Sequence, residues 1–157
     1  MYAVLRVRSP RSKSARVEDT LQKLRLNKVN HCTIVPEDDV HEGMLMKIKD
    51  IITWGEVDKD TLTKLIKYRS SLDDVEEKLS DEIDYDEIED FADAVLSGEV
   101  KITELDGMKN LFRLHPPRSG YKSIKKPYKT GGSLGYRSQE INELLQRMLG
   151  PQYEQEE

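Results

Sequence analysis

Residues 2–8 of the chain are YAVLRVR, a stretch in which apolar and charged side chains alternate. Leu5 and Val7 fall on one side of an extended backbone, and Arg6 and Arg8 fall on the other. This period of two is typical of a β-strand in a sheet with one face in water, and the Ser-Pro pair that follows ends the strand. We therefore predict a first strand whose two arginines lie on an open sheet face.

Residues 1–57 are predicted to form strands and helices in the order β-α-β-α-β, beginning with this strand. Val17, Leu21 and Leu24 recur at helical spacing, and Ile51 and Ile52 complete the apolar face of a second helix. The elements predicted after the first strand are a helix over about 14–26, a strand over 29–35, a helix over about 41–52 and a strand over 53–57. The order indicates an α+β fold, a small open sheet with both helices on one face.

Residues 58–106 are predicted to form a separate acidic helical lobe. They carry 17 Asp or Glu against six Lys or Arg. Asp58 or Asp60 is suited to cap its first helix, and Gly98 is a suitable C-terminal residue for a helix that begins near Ile88. The outer face of that helix is almost wholly acidic, which favours a solvated surface that points away from any polyanion.

Residues 107–157 form the third predicted segment, a strand over 111–115, a basic loop over 118–137 and a helix from about Ser138 to Leu149. The loop contains six Lys or Arg, three Tyr and five Gly or Pro, but no acid. Cations neutralise phosphates, tyrosines stack on unpaired bases, and glycines let backbone N–H groups approach an anion. We predict an RNA-binding loop that becomes ordered on its partner, with a ligand-free surface loop as the alternative.

Charge is divided along the chain in a way that the net value of −5 conceals. Residues 1–35 carry eight Lys or Arg against two Asp or Glu, and residues 107–150 carry nine against two. The cations of a second phosphate-binding strip would be Arg6, Arg8, Arg11, Lys13 and Arg16. If the strand over 111–115 joins the sheet, Arg113 and His115 would extend this strip. Scattered surface charge is the alternative interpretation of this strip.

Other signals favour structural roles or exclude classes of function. The single Cys32 forbids an internal disulfide, and no apolar run is long enough to cross a membrane, so we expect an intracellular protein without a signal peptide. Strand alternation is expected to bury one of the pair His31 and Cys32, for which packing is the default role. Trp54 is predicted to lie in the core, although it could serve as a stacking platform. Residues 130–135 lack the Lys-Ser/Thr ending of a nucleotide-binding loop, and the three histidines match no zinc spacing. No metal, cofactor, catalytic residue or small-molecule substrate is predicted.

Four ordered blocks also carry a family resemblance: LRLNKVNHCTIVP at 24–36, GMLMKIKD at 43–50 running into TWGE at 53–56, FRLHPPR at 112–118 and GGSLGYR at 131–137. Together they resemble the ribosomal large-subunit protein L-thirty family in its archaeal form, which is related to the eukaryotic L-seven proteins. The shorter bacterial relatives correspond to about residues 1–57.

The resemblance implies a ferredoxin-like core with an antiparallel sheet in the order 3-1-2. It implies a structural, non-catalytic role in the cytoplasm, on the ribosome, where the chain would bind large-subunit ribosomal RNA near the 5S RNA, beside other ribosomal proteins. The predicted RNA-binding residues are Arg6, Arg8, Arg11, Lys13, Arg16, Lys28, Arg113, His115, Arg118, Tyr121, Lys122, Lys125, Lys126, Tyr128, Lys129, Gly131, Gly132, Gly135, Tyr136 and Arg137.

Two other classes of function compete with this prediction. A protein-interaction module would use the acidic lobe as its working surface, and it could coexist with RNA binding. A small α+β enzyme would need a convergent acid–base pair in a cleft. The acidic charge itself has two explanations, a lobe that faces away from RNA or adaptation to a salty or acidic cytoplasm.

Overall fold

A computed structural model describes residues 1–9, 14–70, 75, 77, 79, 87–105 and 107–150. Its strands and α-helices alternate through the first half of the chain, as predicted. In chain order they are β1 Tyr2–Arg6, α1 Ala15–Lys23, β2 His31–Val35, α2 Asp39–Lys47, β3 Ile52–Glu56, α3 Lys59–Arg69, α4 Ile88–Ser97, β4 Phe112–Arg113, β5 Gly135–Tyr136 and α5 Ile141–Gln146. No helix of the described ranges has the length and hydropathy needed to span a bilayer.

The five strands form one mixed sheet in the order β4-β2-β1-β3-β5. β1 lies in the centre and pairs antiparallel with β2 and β3, which confirms the predicted order 3-1-2. The C-terminal segment adds both edges: β4 pairs antiparallel with β2, and β5 pairs parallel with β3. The late strand predicted over 111–115 therefore joins the sheet, beside the start of β2.

Both faces of the sheet are covered, because alternate residues of β1 belong to two different hydrophobic clusters. α1 and α2 share one face of the sheet, as predicted, but they pack against Val4, on the same side of β1 as Arg6. Leu5 packs with α3, α4 and α5 on the other. Burying one such leucine stabilises the fold by about 1.5–3 kcal/mol. The prediction of an open face is therefore wrong: α1 and α2 cover the side of β1 that carries Arg6, and helices from the second half of the chain cover the Leu5 side. All five residues of β1 are buried.

The second helix ends earlier than its apolar spacing predicted. α2 ends at Lys47, and Ile52 already belongs to β3. The carbonyl of Ile51 accepts hydrogen bonds from the backbone N–H groups of Val7 and Arg8, at 2.9 and 3.3 Å. Pairing with β1 thus determines the conformation of an apolar run that would fit a helix or a buried strand equally well.

The cap signals of the acidic segment are confirmed. The Asp58 side chain accepts a hydrogen bond from the Thr61 N–H at 2.7 Å, at the start of α3. α4 ends at Gly98, whose φ of 85° is left-handed. Glu89, Asp90 and Asp93 are exposed on α4, so its acidic face is solvated as predicted.

Candidate nucleic-acid interface

The basic loop has a hydrogen-bonded scaffold of its own. Tyr128 N–H donates to the Leu134 carbonyl at 2.7 Å, and Gly132 N–H donates to the Pro127 carbonyl at 2.9 Å. Ser133 Oγ donates to the carbonyl of Lys122 at 2.8 Å. The expectation that the loop gains order only on a partner is therefore wrong, because turns and a short strand satisfy much of its backbone.

Arg137 fixes this loop to the sheet from inside. Its Nε donates to Thr53 Oγ1 and its Nη2 to the Ser133 carbonyl, both at 2.8 Å. The guanidinium also lies 4.8 Å from the centre of the Tyr128 ring. Burial lowers the pKa of Arg137. The residue was predicted as an RNA contact, but the structure uses its donors within the protein.

The four lysines of the loop point outward. All of their side chains are exposed, as is that of Arg118; the lysines are Lys122, Lys125, Lys126 and Lys129. The Arg8 guanidinium donates from Nη1 to the Ile124 carbonyl at 3.1 Å, so the end of the first strand contacts the loop directly. The two basic segments of the sequence therefore meet in the fold.

The rest of the N-terminal strip is divided. Arg6 is buried, and its Nη1 donates to the Leu26 carbonyl at 2.8 Å. Arg16 and Lys28 are exposed. Arg11 and Lys13 lie outside the described residues. The exposed cations in this region are therefore Arg16 on α1 and Lys28 before β2. Arg6 is buried and stabilises the strip from inside the protein.

The edge strand β4 adds a cation beside β2. Arg113 is exposed and pairs in register with His31. Burial, then the charges of Arg113, Lys28 and Arg6, lower the pKa of His31. His115 is exposed just beyond this strand. His31 is therefore half-buried beside three cations, of which Arg113 and Lys28 are exposed.

The three tyrosines of the loop are partly buried and differ in their contacts. Tyr121 donates from its hydroxyl to Asn30 Oδ1 at 2.7 Å, and burial raises its pKa. Tyr128 lies beneath Arg137. The Tyr136 hydroxyl hydrogen-bonds to Glu56 Oε1, and that bond is the largest cause of its raised pKa.

The loop glycines fill two different needs. Gly131 and Gly135 have positive φ values, 90° and 83°. Gly132 is buried, and a Cβ there would lie 1.9 Å from the Lys126 carbonyl oxygen. Of these three predicted glycines, Gly131 is the exposed one, so it is the one that offers its backbone for close approach to an anion.

Sequence reasoning missed a groove between the end of α2 and the basic loop. Lys47 and Lys49 line its α2 side, and Lys125 and Lys129 line its loop side. Residues 36–56 are acidic overall, so nothing local marked these α2 lysines. Only the tertiary contact between the two segments brings the four cations together.

Of the pair His31 and Cys32, the cysteine is the buried one and the histidine is half-buried, and Trp54 lies in the core, as predicted. Cys32 is fully buried, and burial raises the pKa of its thiol to about 12. Trp54 is 7% exposed, and its ring centre lies 6.1 Å from that of Tyr136. Within the described ranges, no three His, Cys, Asp or Glu side chains are grouped closely enough to hold a metal ion.

A small α+β core that presents clustered, exposed cations on one loop has the electrostatic footprint of a nucleic-acid-binding protein. Comparison with known proteins gives the particular family. Residues 2–52 match the family model described as ribosomal protein L30p/L7e.

The relatives extend this match over nearly the whole chain. The chain is 45% identical to large ribosomal subunit protein uL30 of Methanoculleus marisnigri, covering 94% of this chain and 99% of that protein. It is 43% identical to uL30 of Methanosphaera stadtmanae (95% and 100% covered) and 42% identical to uL30 of Thermoplasma volcanium (96% and 94%). The chain belongs to this archaeal-type uL30 family of structural, non-enzymatic proteins of the large ribosomal subunit, which work in the cytoplasm.

Proposed function

We propose that the chain scaffolds folded large-subunit ribosomal RNA through the basic loop and the cations beside it. The observation that carries this proposal is the presentation of four exposed lysines on a loop that contains no acid and is already ordered. Arg137 and Arg8 hold that loop against the sheet through the bonds described above. A loop ordered in advance loses less conformational entropy when it binds.

The proposed contacts are mainly to phosphates. Lysine and arginine side chains release counterions from the RNA backbone, and such contacts position a protein more than they specify a sequence. The cations proposed for this role are the half-buried Arg8 and the exposed Arg16, Lys28, Arg113, Arg118, Lys122, Lys125, Lys126 and Lys129. His115 lies in the same strip, whereas Arg6 and Arg137 support the interface from within.

The neighbourhood of the interface in the particle is the second part of the proposal. The resemblance described above implies a position near the 5S RNA, and neighbouring ribosomal proteins would complete the surroundings. The acidic face of α4 favours a protein neighbour or solvent over RNA on that side, since Glu89, Asp90 and Asp93 are exposed there. A protein contact through this face is the second candidate function.

Removing three loop lysines tests the proposal. We expect Lys125→Ala, Lys126→Ala and Lys129→Ala together to weaken binding to purified large-subunit ribosomal RNA. The slope of log affinity against log salt should become shallower by roughly 2 to 3, because each lost phosphate contact removes nearly one released counterion. Filter binding across a salt series measures both quantities.

The matched control removes three exposed lysines from other parts of the fold: Lys23, Lys59 and Lys101. Both triple variants change the net charge equally, so a general loss of positive charge would affect them alike. If the loop variant kept the affinity and the salt slope of the unmodified protein, or matched the control, the loop would not be the RNA-binding surface.

A further inference from the structure

The groove between the end of α2 and the basic loop has the size and lining of a ligand site. Its volume is about 640 Å³, within the range of small-molecule pockets in proteins. Residues 46–51 form one side, and residues from the basic loop form the other. We call it the α2 groove.

Its charge is strongly one-sided. Five cations line the α2 groove, on both of its sides and at its end, against one acid, Asp50; the cations are Arg8, Lys47, Lys49, Lys125 and Lys129. Four of the five cations are exposed lysines. A polyanion complements this lining, whereas a neutral or basic peptide would leave most of the charges unpaired.

Between these cations, the lining is apolar and aromatic. Tyr136 is half-buried at the edge strand β5, next to Trp54. The bond from its hydroxyl to Glu56 holds the Tyr136 ring in place. Met46, a large apolar side chain that is 55% exposed, lines the α2 side. An unpaired base can stack on an aromatic ring held at the edge of a cationic groove, because every base has an apolar π-face.

We propose that the α2 groove binds one unstacked nucleotide of RNA. The base stacks on Tyr136 and packs against the apolar wall, and the flanking phosphates lie against the lysines of α2 and of the loop. The inference rests on the proposed function, since it adds a nucleotide subsite to a surface that already binds RNA. It assigns a role to Lys47 and Lys49, two cations that the phosphate-binding loop does not include.

The test compares three RNA hairpins that differ at one position. One carries a single bulged adenosine, the second carries an abasic residue at the bulge, and the third is fully paired. Their affinities for the full chain are measured at low salt by fluorescence polarisation. We expect the bulged adenosine to bind about tenfold more tightly than the abasic form, the usual effect of one base stacked on an aromatic side chain.

Protein variants assign that difference to the groove. Tyr136→Ala should abolish the preference for the adenosine bulge over the abasic bulge, and Tyr136→Phe, which keeps the ring, should retain most of it. Trp54 is the single tryptophan of the chain. Its fluorescence should therefore be quenched by the adenosine bulge and much less by the abasic one.

The outcomes separate this inference from the proposed function. Equal binding of all three hairpins, with normal salt dependence, would overturn the nucleotide subsite and leave phosphate binding intact. A base preference that survives Tyr136→Ala, without quenching of Trp54, would also overturn it, because the base would then bind elsewhere. Absence of binding to every hairpin at low salt would overturn both proposals.

Discussion

Gly55 and Gly43 show how differently one residue type responds to its surroundings. A Cβ on Gly55 in β3 would lie 1.8 Å from the Ser138 carbonyl oxygen, a backbone atom that cannot rotate away. A Cβ on Gly43 in α2 would meet nothing within 4 Å. We expect Gly55→Ala to lower the free energy of unfolding by about 2 kcal/mol or more. Gly43→Ala should raise it by about 0.5–1 kcal/mol.

Urea denaturation of the two variants beside the unmodified chain measures both effects. The two substitutions add the same methyl group, so each serves as the control for the other. A stable Gly55→Ala protein would show that the turn after β5 shifts easily away from β3, which would contradict the tight packing described above.

The arginines show why the candidate site could be predicted only in part from the sequence. Arg6 ends β1 and Arg8 follows it by two residues, yet Arg6 donates to the Leu26 carbonyl and Arg8 to the Ile124 carbonyl. Arginine can bury its stem and satisfy its donors on carbonyl groups, but only the tertiary fold decides which carbonyls are near. Composition therefore located the basic loop, but it could not separate supporting cations from exposed ones.

At the scale of elements, local signals predicted most of the fold. Alternation predicted β1, helical spacing predicted α1, and Asp58 and Gly98 marked helix ends that the structure confirms. The missed features depend on contacts between distant segments. β5 joins β3 in parallel although the loop shows no strand pattern. α1 and α2 cover the arginine side of β1 and α3 to α5 cover its Leu5 side, so neither sheet face is open.

The basic loop is the element whose internal geometry should matter most for RNA binding. A Cβ on Gly132 would lie 1.9 Å from the Lys126 carbonyl oxygen, so Gly132→Ala must separate these two parts of the loop. We expect RNA affinity to fall several-fold, because the lysines lose their fixed positions. The free energy of unfolding should fall less than for Gly55→Ala, since the loop contributes little to the two apolar clusters.

The neighbouring Gly131 provides the matched control. It has a φ of 90° and open space around it, and asparagine adopts left-handed conformations more readily than other non-glycine residues. Gly131→Asn should therefore bind RNA better than Gly132→Ala. Equal RNA affinities for both variants and the unmodified chain, at one salt concentration, would show that the loop scaffold does not determine binding.

Over the whole molecule, opposite charges are placed on different elements. The basic loop with Arg8 forms one surface, and the exposed acids of α4 form another. The sequence already showed this division as segments, because acids and bases are separated along the chain. It could not show that residues 1–9 and the basic loop would meet. Because of that contact, a protein with a negative net charge still concentrates positive charge on one surface.

A tethered cleavage probe tests this division within the particle. Cys32 is buried and the pKa of its thiol is raised, so it should not react with a cysteine-directed iron probe. The probe should therefore attach to a cysteine introduced on the surface. We expect a probe at Lys126→Cys, in large subunits purified with the variant, to cleave large-subunit ribosomal RNA strongly, in or beside the 5S RNA. A probe at Asp93→Cys on α4 should cleave RNA weakly, because that acidic face repels phosphates. Equal cleavage from both positions would contradict the separation of surfaces. Strong cleavage far from the 5S RNA would contradict only the proposed neighbourhood.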